Sequence, residues 1–475
     1  MEISGLGTAP ALSDVTALVV YSGLEDTGRL TTSDALLNQL ISNTYWGQRG
    51  NFLSTPTDCP QRDERMGWSG DAQIFCGTSA YNMNVKTFFD KYITDLNDCQ
   101  RDNGAYPDVA PATWRQYYTG AGNNAWGDAG VIIPWIMYQR YGDSSYIEKY
   151  YSNMKRYGSY LVSTSQNYIR SVSAYGDWLS IGESTEVGVT DTAYCIRVFD
   201  ILEQMALLLG KDKDAQRFAN HAAKYREAWI AKYVRSETKL RNETQTAYLV
   251  ALAFDILPEE QRQAMADRLN ERIVKRGNKL TTGFIGCSLL LPVLCRFGHE
   301  DTAFSLLQQE EYPSWKYPVL QGATTIWERW NSYTIADGFG DAAMNSFNHY
   351  SYGSVTEWLY DSLAGICCDE ASPAFSHFIL RPTAGGGITS AAGEYDSIRG
   401  LIKSSWEAAD NVITKYSCTV PGNTTATLYL RAASADNVTE QGRPLAETDG
   451  VEIIGCENGV LTLTLGSGDY SFEIG

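Results

Sequence analysis

From Asp58 to Asp71 the sequence reads D-C-P-Q-R-D-E-R-M-G-W-S-G-D, which gathers four carboxylates (Asp58, Asp63, Glu64, Asp71), two arginines (Arg62, Arg65) and Trp68 into one short segment. Carboxylates crowded this closely repel unless something holds them apart, and crowding raises the pKa of at least one of them. A neutral carboxyl beside ionised ones is what general acid–base chemistry on a sugar acetal requires. The same residues also read as a solvated acidic turn balanced by its arginines, because structural ion-pair networks perturb pKa values too. Pro60, Gly67 and Gly70 interrupt any plain amphipathic helix, so a shaped loop leading into a helix at Asp71 is expected.

A second segment, T-T-I-W-E-R-W-N-S-Y, places Glu328 between Trp327 and Trp330, with Arg329 adjacent, and His349 follows in the run S-F-N-H-Y-S-Y-G. Indole faces beside carboxylates suit a sugar pocket: C–H faces stack on the rings while hydroxyls bond to the charged oxygens. Taken alone, W-E-R-W also reads as a buried Trp pair around a Glu–Arg bridge. Two such clusters in one chain favour the pocket.

The run D-C-P-Q-R-D-E-R-x-G-W-x-G-D-A-Q, followed in order by T-T-I-W-E-R-W and S-F-N-H-Y-x-Y-G, resembles the bacterial α-L-rhamnosidases of glycoside hydrolase family 78. The resemblance covers roughly residues 15 to 475 and implies a mainly α fold: an (α/α)6 catalytic barrel followed by a C-terminal antiparallel β-sandwich. It also implies inverting release of terminal α-L-rhamnose, with Glu64 as general acid and Glu328 as general base. Asp58, Arg62 and Asp71 match family positions that hold the sugar, whereas Asp63 departs in role. Trp68, with Trp327 or Trp330, is expected to form an apolar wall for the 6-methyl group of a deoxysugar. His349 is expected to orient a hydroxyl or the attacking water. Single displacement calls for carboxyl groups about 6.5–9.5 Å apart. The β-rich modules that usually precede the barrel are not seen, so a truncated or minimal member is expected. The alternatives are an inverting glycosidase acting on another deoxy- or L-sugar, and a non-catalytic carbohydrate-binding fragment.

Elements able to position these residues are legible in the chain. Helical periodicity starts after Thr32, with Ser33 as N-cap and Leu36, Leu37, Leu40, Ile41 and Tyr45 on one face. Further helices are expected near 71–83, 85–100, 127–141, 143–164, 190–209, 212–233, 244–257, 259–276, 284–297, 299–309 and 341–365. Paired around one core, they would build the barrel over 31–368. An α-solenoid would need an internal repeat, and none is visible. After Pro373, period-two alternation at 375–380, 412–420, 427–430 and 461–465 predicts the β-sandwich over 369–475. Residues 1–30, with Val19, Val20 and Tyr21, read as the remnant of a preceding β-module or an N-terminal extension. The run from Arg101 to Asp128 and the Y-G-D-W segment at 175–178 are loops that bring Trp126 and Trp178 forward as pocket walls, with Asp108 and Asp177 beside them.

Composition narrows the partners. A net charge of −18, from 38 basic and 56 acidic residues, argues against nucleic acid, an anionic membrane or a strongly acidic polysaccharide. No apolar run is long enough to span a bilayer. The ten cysteines form no C-x-x-C pair and read as reduced thiols. With no signal-like N-terminus, a cytoplasmic location is expected. The sequence has no nucleophile elbow, H-E-x-x-H, Walker loop or dinucleotide fingerprint, and its four histidines are scattered. No metal or cofactor is expected. The expected partner is a rhamnose-containing glycoside or oligosaccharide.

Overall fold

The computed structural model describes residues 3–112 and 120–475. Residues 113–119, within the long loop expected from Arg101 to Asp128, lie outside that description.

Six helices form an inner ring: Ser69–Asn82, Ala129–Tyr141, Val187–Leu208, Gln245–Ala253, Phe284–Arg296 and a final composite stretch at 351–364. Each packs on the next, and the last returns to pack on the first, so the ring closes. These helices bury residues on every side. All of Ser69–Asn82 is buried, and the apolar run Q-T-A-Y-L-V-A-L-A of Gln245–Ala253 needs cover on both faces. The outer layer comprises Ala35–Asn51, Lys86–Asp98, Ser145–Ser163, Asp212–Tyr233, Glu259–Lys275 and Glu300–Leu307. Here one stripe is apolar: Ser145–Ser163 buries Ile147, Tyr151, Met154, Tyr157, Gly158 and Leu161 at helical spacing. Inner and outer helices alternate along the chain, which is the (α/α)6 barrel.

The tail is two packed sheets. Seven strands run in the order Gly28–Thr32, Ser390–Ser397, Gly400–Ala409, Val412–Val420, Gly468–Ile474, Val438–Glu440, Arg443–Pro444. Five run Val451–Glu457, Val460–Leu465, Thr425–Arg431, His377–Leu380, Ile366–Cys368. Buried residues alternate along the strands, as in Thr425–Arg431, where Ala426, Leu428 and Leu430 face inward. Pairing is antiparallel except between Thr425–Arg431 and His377–Leu380, which run parallel.

Several expectations are corrected. Asp34, not Ser33, caps the first helix, its carboxylate accepting from the amides of Leu36 and Leu37. Ser33 instead accepts the Thr389 amide (2.9 Å) and ties the barrel to the sheet. The boundary drawn at residue 30 cuts through Gly28–Thr32, which pairs with Ser390–Ser397, and the one at 368 leaves on the barrel side the strand Ile366–Cys368, which belongs to the five-stranded sheet. Of the helix expected over 341–365, only 351–364 is helical; residues 341–350 form irregular backbone at the site described below. Leu18, Val19 and Val20 are exposed on the surface.

Candidate active site

The N-terminal ends of the inner helices and the loops before them frame a cleft of about 610 Å³, mouth included. The loop from Asp58 to Trp68 closes on itself. The Asp58 amide donates to the Met66 carbonyl (3.0 Å), and the Met66 amide donates to Asp58 Oδ1 (2.9 Å). The loop enters helix Ser69–Asn82 through Gly70, where a Cβ would fall 2.5 Å from the Trp126 indole. That contact explains the glycine and seats Trp126 beneath the loop.

Arg62 organises the carboxylates. Its Nη1 donates to Glu328 Oε2 (2.5 Å) and its Nη2 to Glu328 Oε1 (3.2 Å), a two-pronged pair. Nε donates to Glu64 Oε2 (2.9 Å), and Nη2 also reaches Asp58 Oδ2 (3.2 Å). Glu328 is 3 % exposed, and Arg62 is the cation that pairs with it in that buried setting. Nη2 stands 2.8 Å from Glu64 Oε2 and 3.2 Å from Glu328 Oε1, so these two oxygens are within about 6 Å of each other. Glu64 Oε1 accepts the indole N–H of Trp68 (2.7 Å). Burial and the nearby Glu64 push Asp58 up to about 6.

Asp71, in the first turn of its helix, accepts the Ser351 hydroxyl (3.0 Å) and faces Nε2 of His349 (3.3 Å). Nδ1 of that ring accepts the Ser351 amide (3.2 Å), which leaves Nε2 to carry the proton toward Asp71. Burial opposes a charge on His349, while Asp71 draws its pKa upward.

The walls are aromatic. Tyr175 stands at the centre, tilted against Trp126 (4.4 Å) and edge-on to Trp68 (5.8 Å) and Trp178 (6.1 Å). Beneath it, Asp108 accepts from the Tyr175 hydroxyl (3.1 Å) and from Asn123, and burial raises it to about 7. Phe284 and Met344 complete the lining.

Nine of the ten expected site residues meet in this cleft: Asp58, Arg62, Glu64, Trp68, Asp71, Trp126, Trp178, Glu328 and His349. Trp327 does not. The backbone at 326–328 is extended and bonded to 346–349, with the His349 amide on Ile326 O (2.8 Å) and the Glu328 amide on Ser346 O (3.0 Å). Neighbouring side chains therefore alternate, and turning Glu328 inward sends Trp327 outward, edge-on to Phe347 (5.1 Å). Trp330 is structural, donating to Thr282 O and stacked on Tyr352 at 4.0 Å. Asp63 is fully solvated. Asp177 accepts the amides of Gly283 (2.8 Å) and Gly286 (3.1 Å), pinning the start of helix Phe284–Arg296. Tyr175, Phe284 and Met344 were not anticipated. Tyr175 had a signal, since it precedes the G-D-W already singled out; the other two had none.

Six helical hairpins closed in a ring, with two carboxylates facing each other under indoles at one end, form the architecture of the six-hairpin glycosidases. Comparison with known proteins is specific. The family model for the bacterial alpha-L-rhamnosidase 6 hairpin glycosidase domain matches residues 25–363, and that for the bacterial alpha-L-rhamnosidase C-terminal domain matches 365–444. An alpha-L-rhamnosidase of Streptomyces avermitilis is 40% identical over 100% of this chain and 44% of its own length; one from Formosa agariphila is 36% identical over 100% and 52%. The crystal structure of the Streptomyces avermitilis enzyme complexed with L-rhamnose superposes with a TM-score of 0.90 at 39% identity, covering 96% of this chain and 43% of that one. The alpha-L-rhamnosidase of Dictyoglumus thermophilum gives 0.90 at 32%, covering 99% and 52%. This chain belongs to the bacterial α-L-rhamnosidase family. It spans about half the length of the curated relatives it matches.

Proposed function

We propose that this chain hydrolyses terminal α-L-rhamnosides with inversion of configuration. The observation that carries the proposal is the pairing of Glu64 and Glu328 on adjacent edges of one guanidinium, inside an indole-walled cleft of a rhamnosidase-family barrel. Glu64, held by Trp68 and Arg62 on the exposed side of the group, protonates the departing glycosidic oxygen. Glu328, buried against the adjoining edge, takes a proton from the attacking water. Asp58, Arg62 and Asp71 present acceptors and donors to the hydroxyls, with Asp71 oriented by His349 and Ser351. Trp126, Tyr175 and Trp178 offer flat faces to the ring and its methyl group. Support for rhamnose itself comes from the relatives, one of which was solved with L-rhamnose bound.

A retaining double displacement is the second reading, and one observation favours it. The two carboxylate oxygens on Arg62 Nη2 lie within about 6 Å, short of the 6.5–9.5 Å separation expected for single displacement. Arg62 draws the two groups together, and a sugar entering between them would restore the wider spacing that single displacement needs. Incubation with 4-nitrophenyl α-L-rhamnoside is the direct test. Release of rhamnose by the parent chain, abolished in Glu328→Gln, supports the assignment; activity retained in that variant would place the base elsewhere.

A further inference from the structure

The charged and aromatic halves of the cleft meet behind it at one buried side chain that takes no part in the chemistry described above. Asp108 lies in the irregular run between Lys86–Asp98 and Ala129–Tyr141 and is fully buried. Its main chain belongs to the charged half. The Asp108 carbonyl accepts the Ser69 amide (2.8 Å) and the Ser69 hydroxyl (2.9 Å), Val109 bridges to Trp68, and the Ala110 amide donates to Gly67 O (2.9 Å). Residue 108 is thereby tied to the point where the acidic loop becomes the helix of Asp71.

Its side chain belongs to the aromatic half. Oδ2 accepts both the Tyr175 hydroxyl (3.1 Å) and Asn123 Nδ2. Asn123 passes the restraint on in two directions. Its Oδ1 accepts the Ala174 amide (2.9 Å), next to Tyr175, and its carbonyl accepts the amides of Trp126 (3.2 Å) and Gly127 (2.8 Å). Tyr175 in turn touches Trp126, Trp68 and Trp178. One carboxyl oxygen therefore holds two loops and sets the rings of the wall against the carboxylates. Burying a carboxyl group costs stability, and an apolar side chain would fill the same interior space at lower cost. What Asp108 supplies is geometry.

We propose that Asp108 is a positioning residue that fixes the aromatic wall relative to Glu64 and Glu328, and so sets how tightly the cleft holds its sugar rather than how fast the bond breaks. This rests on the hydrolase reading above and deepens it. Asp108 itself does not line the cleft, whereas Tyr175, Trp126 and Trp178 do, so it acts through them. Flat faces against a sugar ring hold the substrate and the transition state about equally, and loss of such uniform binding raises KM while sparing kcat.

Three variants test this on 4-nitrophenyl α-L-rhamnoside at about pH 6, where the Asp108 carboxyl, raised by burial to about 7, is mostly protonated and resembles an amide. Asp108→Ala removes the acceptor and should raise KM about tenfold with kcat within about threefold. Asp108→Asn keeps a carbonyl oxygen able to accept from both Tyr175 and Asn123, and should bring KM back to within about twofold of the parent. Tyr175→Phe keeps the ring and loses only its hydroxyl, so KM should rise about three- to fivefold. A purely structural Asp108 would instead give a lower melting temperature with unchanged kinetics in the folded fraction, and would overturn the proposal. So would a fall in kcat at constant KM, or an Asp108→Asn variant no better than Asp108→Ala. Should Asp108→Ala not fold, Tyr175→Phe carries the test, and an unchanged KM there overturns the proposal. If the parent chain released no rhamnose, the hydrolase reading would fail instead, and near-ultraviolet circular dichroism would decide Asp108 alone. The signal of the Trp126–Tyr175 pair should weaken in Asp108→Ala and return in Asp108→Asn; an unchanged spectrum in Asp108→Ala would overturn the proposal.

Discussion

Trp68→Phe isolates one hydrogen bond at the proposed acid. The indole N–H reaches Glu64 Oε1 at 2.7 Å, and Phe keeps most of the ring's area and its edge contact with Tyr175 while removing that donor. A hydrogen bond to a charged group is worth about 1.5–3 kcal/mol, and this one, partly open to solvent, belongs at the lower end. A loss of about 1.5–2 kcal/mol corresponds to roughly 10–30-fold in kcat/KM if the bond persists in the transition state. The loss should fall on substrates that need a proton. A rhamnosyl-glucose disaccharide, whose leaving alkoxide must be protonated, should suffer it; 4-nitrophenyl α-L-rhamnoside should barely change. A double-mutant cycle sharpens the argument, because a residue acting through Glu64 has nothing left to orient in a Glu64→Gln background. Trp68→Phe should therefore have little further effect there. Full additivity of the two changes, or equal losses on both substrates, would refute the view that Trp68 works by holding Glu64.

Trp178→Ala should raise KM or lower kcat/KM by the equivalent of about 1–3 kcal/mol at an unchanged melting temperature, whereas Trp327→Ala should lower the melting temperature by several degrees and spare kinetics in the folded fraction; the reverse pattern would restore Trp327 to the sugar wall. Burial raises Asp58 to about 6 and Asp108 to about 7, so between about pH 4 and 7 the folded chain binds protons that the unfolded chain has released. Their contribution is therefore fully present below about pH 4 and is lost as pH rises through 6 and 7. Unfolding free energies from urea titrations should fall from pH 5.5 to 8, by about 2 kcal/mol from Asp108 alone because only the roughly 1.5 pH units up to 7 remain to be crossed, and Asp108→Asn should flatten the slope. An unfolding free energy rising over that range would contradict the assignment.

Much of the barrel was legible because its outer helices carry apolar stripes and its inner ones long apolar runs, two patterns that survive without tertiary context. Where local signals were ambiguous, the fold decided. Ser33 and Asp34 are both good caps, and only the sheet's claim on Ser33 separates them. The apolar residues of 341–350 mimic a helix but include the strand-like run that turns Glu328 inward. The site's charged half was readable from one motif, since Asp58, Arg62, Glu64, Trp68 and Asp71 lie within a single loop and helix start. Its aromatic half was only partly so: Phe284 and Met344 reach the cleft through ring closure and loop return, and Trp327 leaves it through strand alternation. No local pattern encodes those outcomes.

The central claim is that Glu64 and Glu328 act as acid and base in a single displacement on an α-L-rhamnoside. Proton NMR of the first product formed from 4-nitrophenyl α-L-rhamnoside tests it most directly, if read before mutarotation mixes the anomers. The account predicts L-rhamnose appearing first as the β-anomer. An initial α-anomer would establish double displacement and overturn the roles given to both carboxylates, and no rhamnose at all would overturn the hydrolase itself.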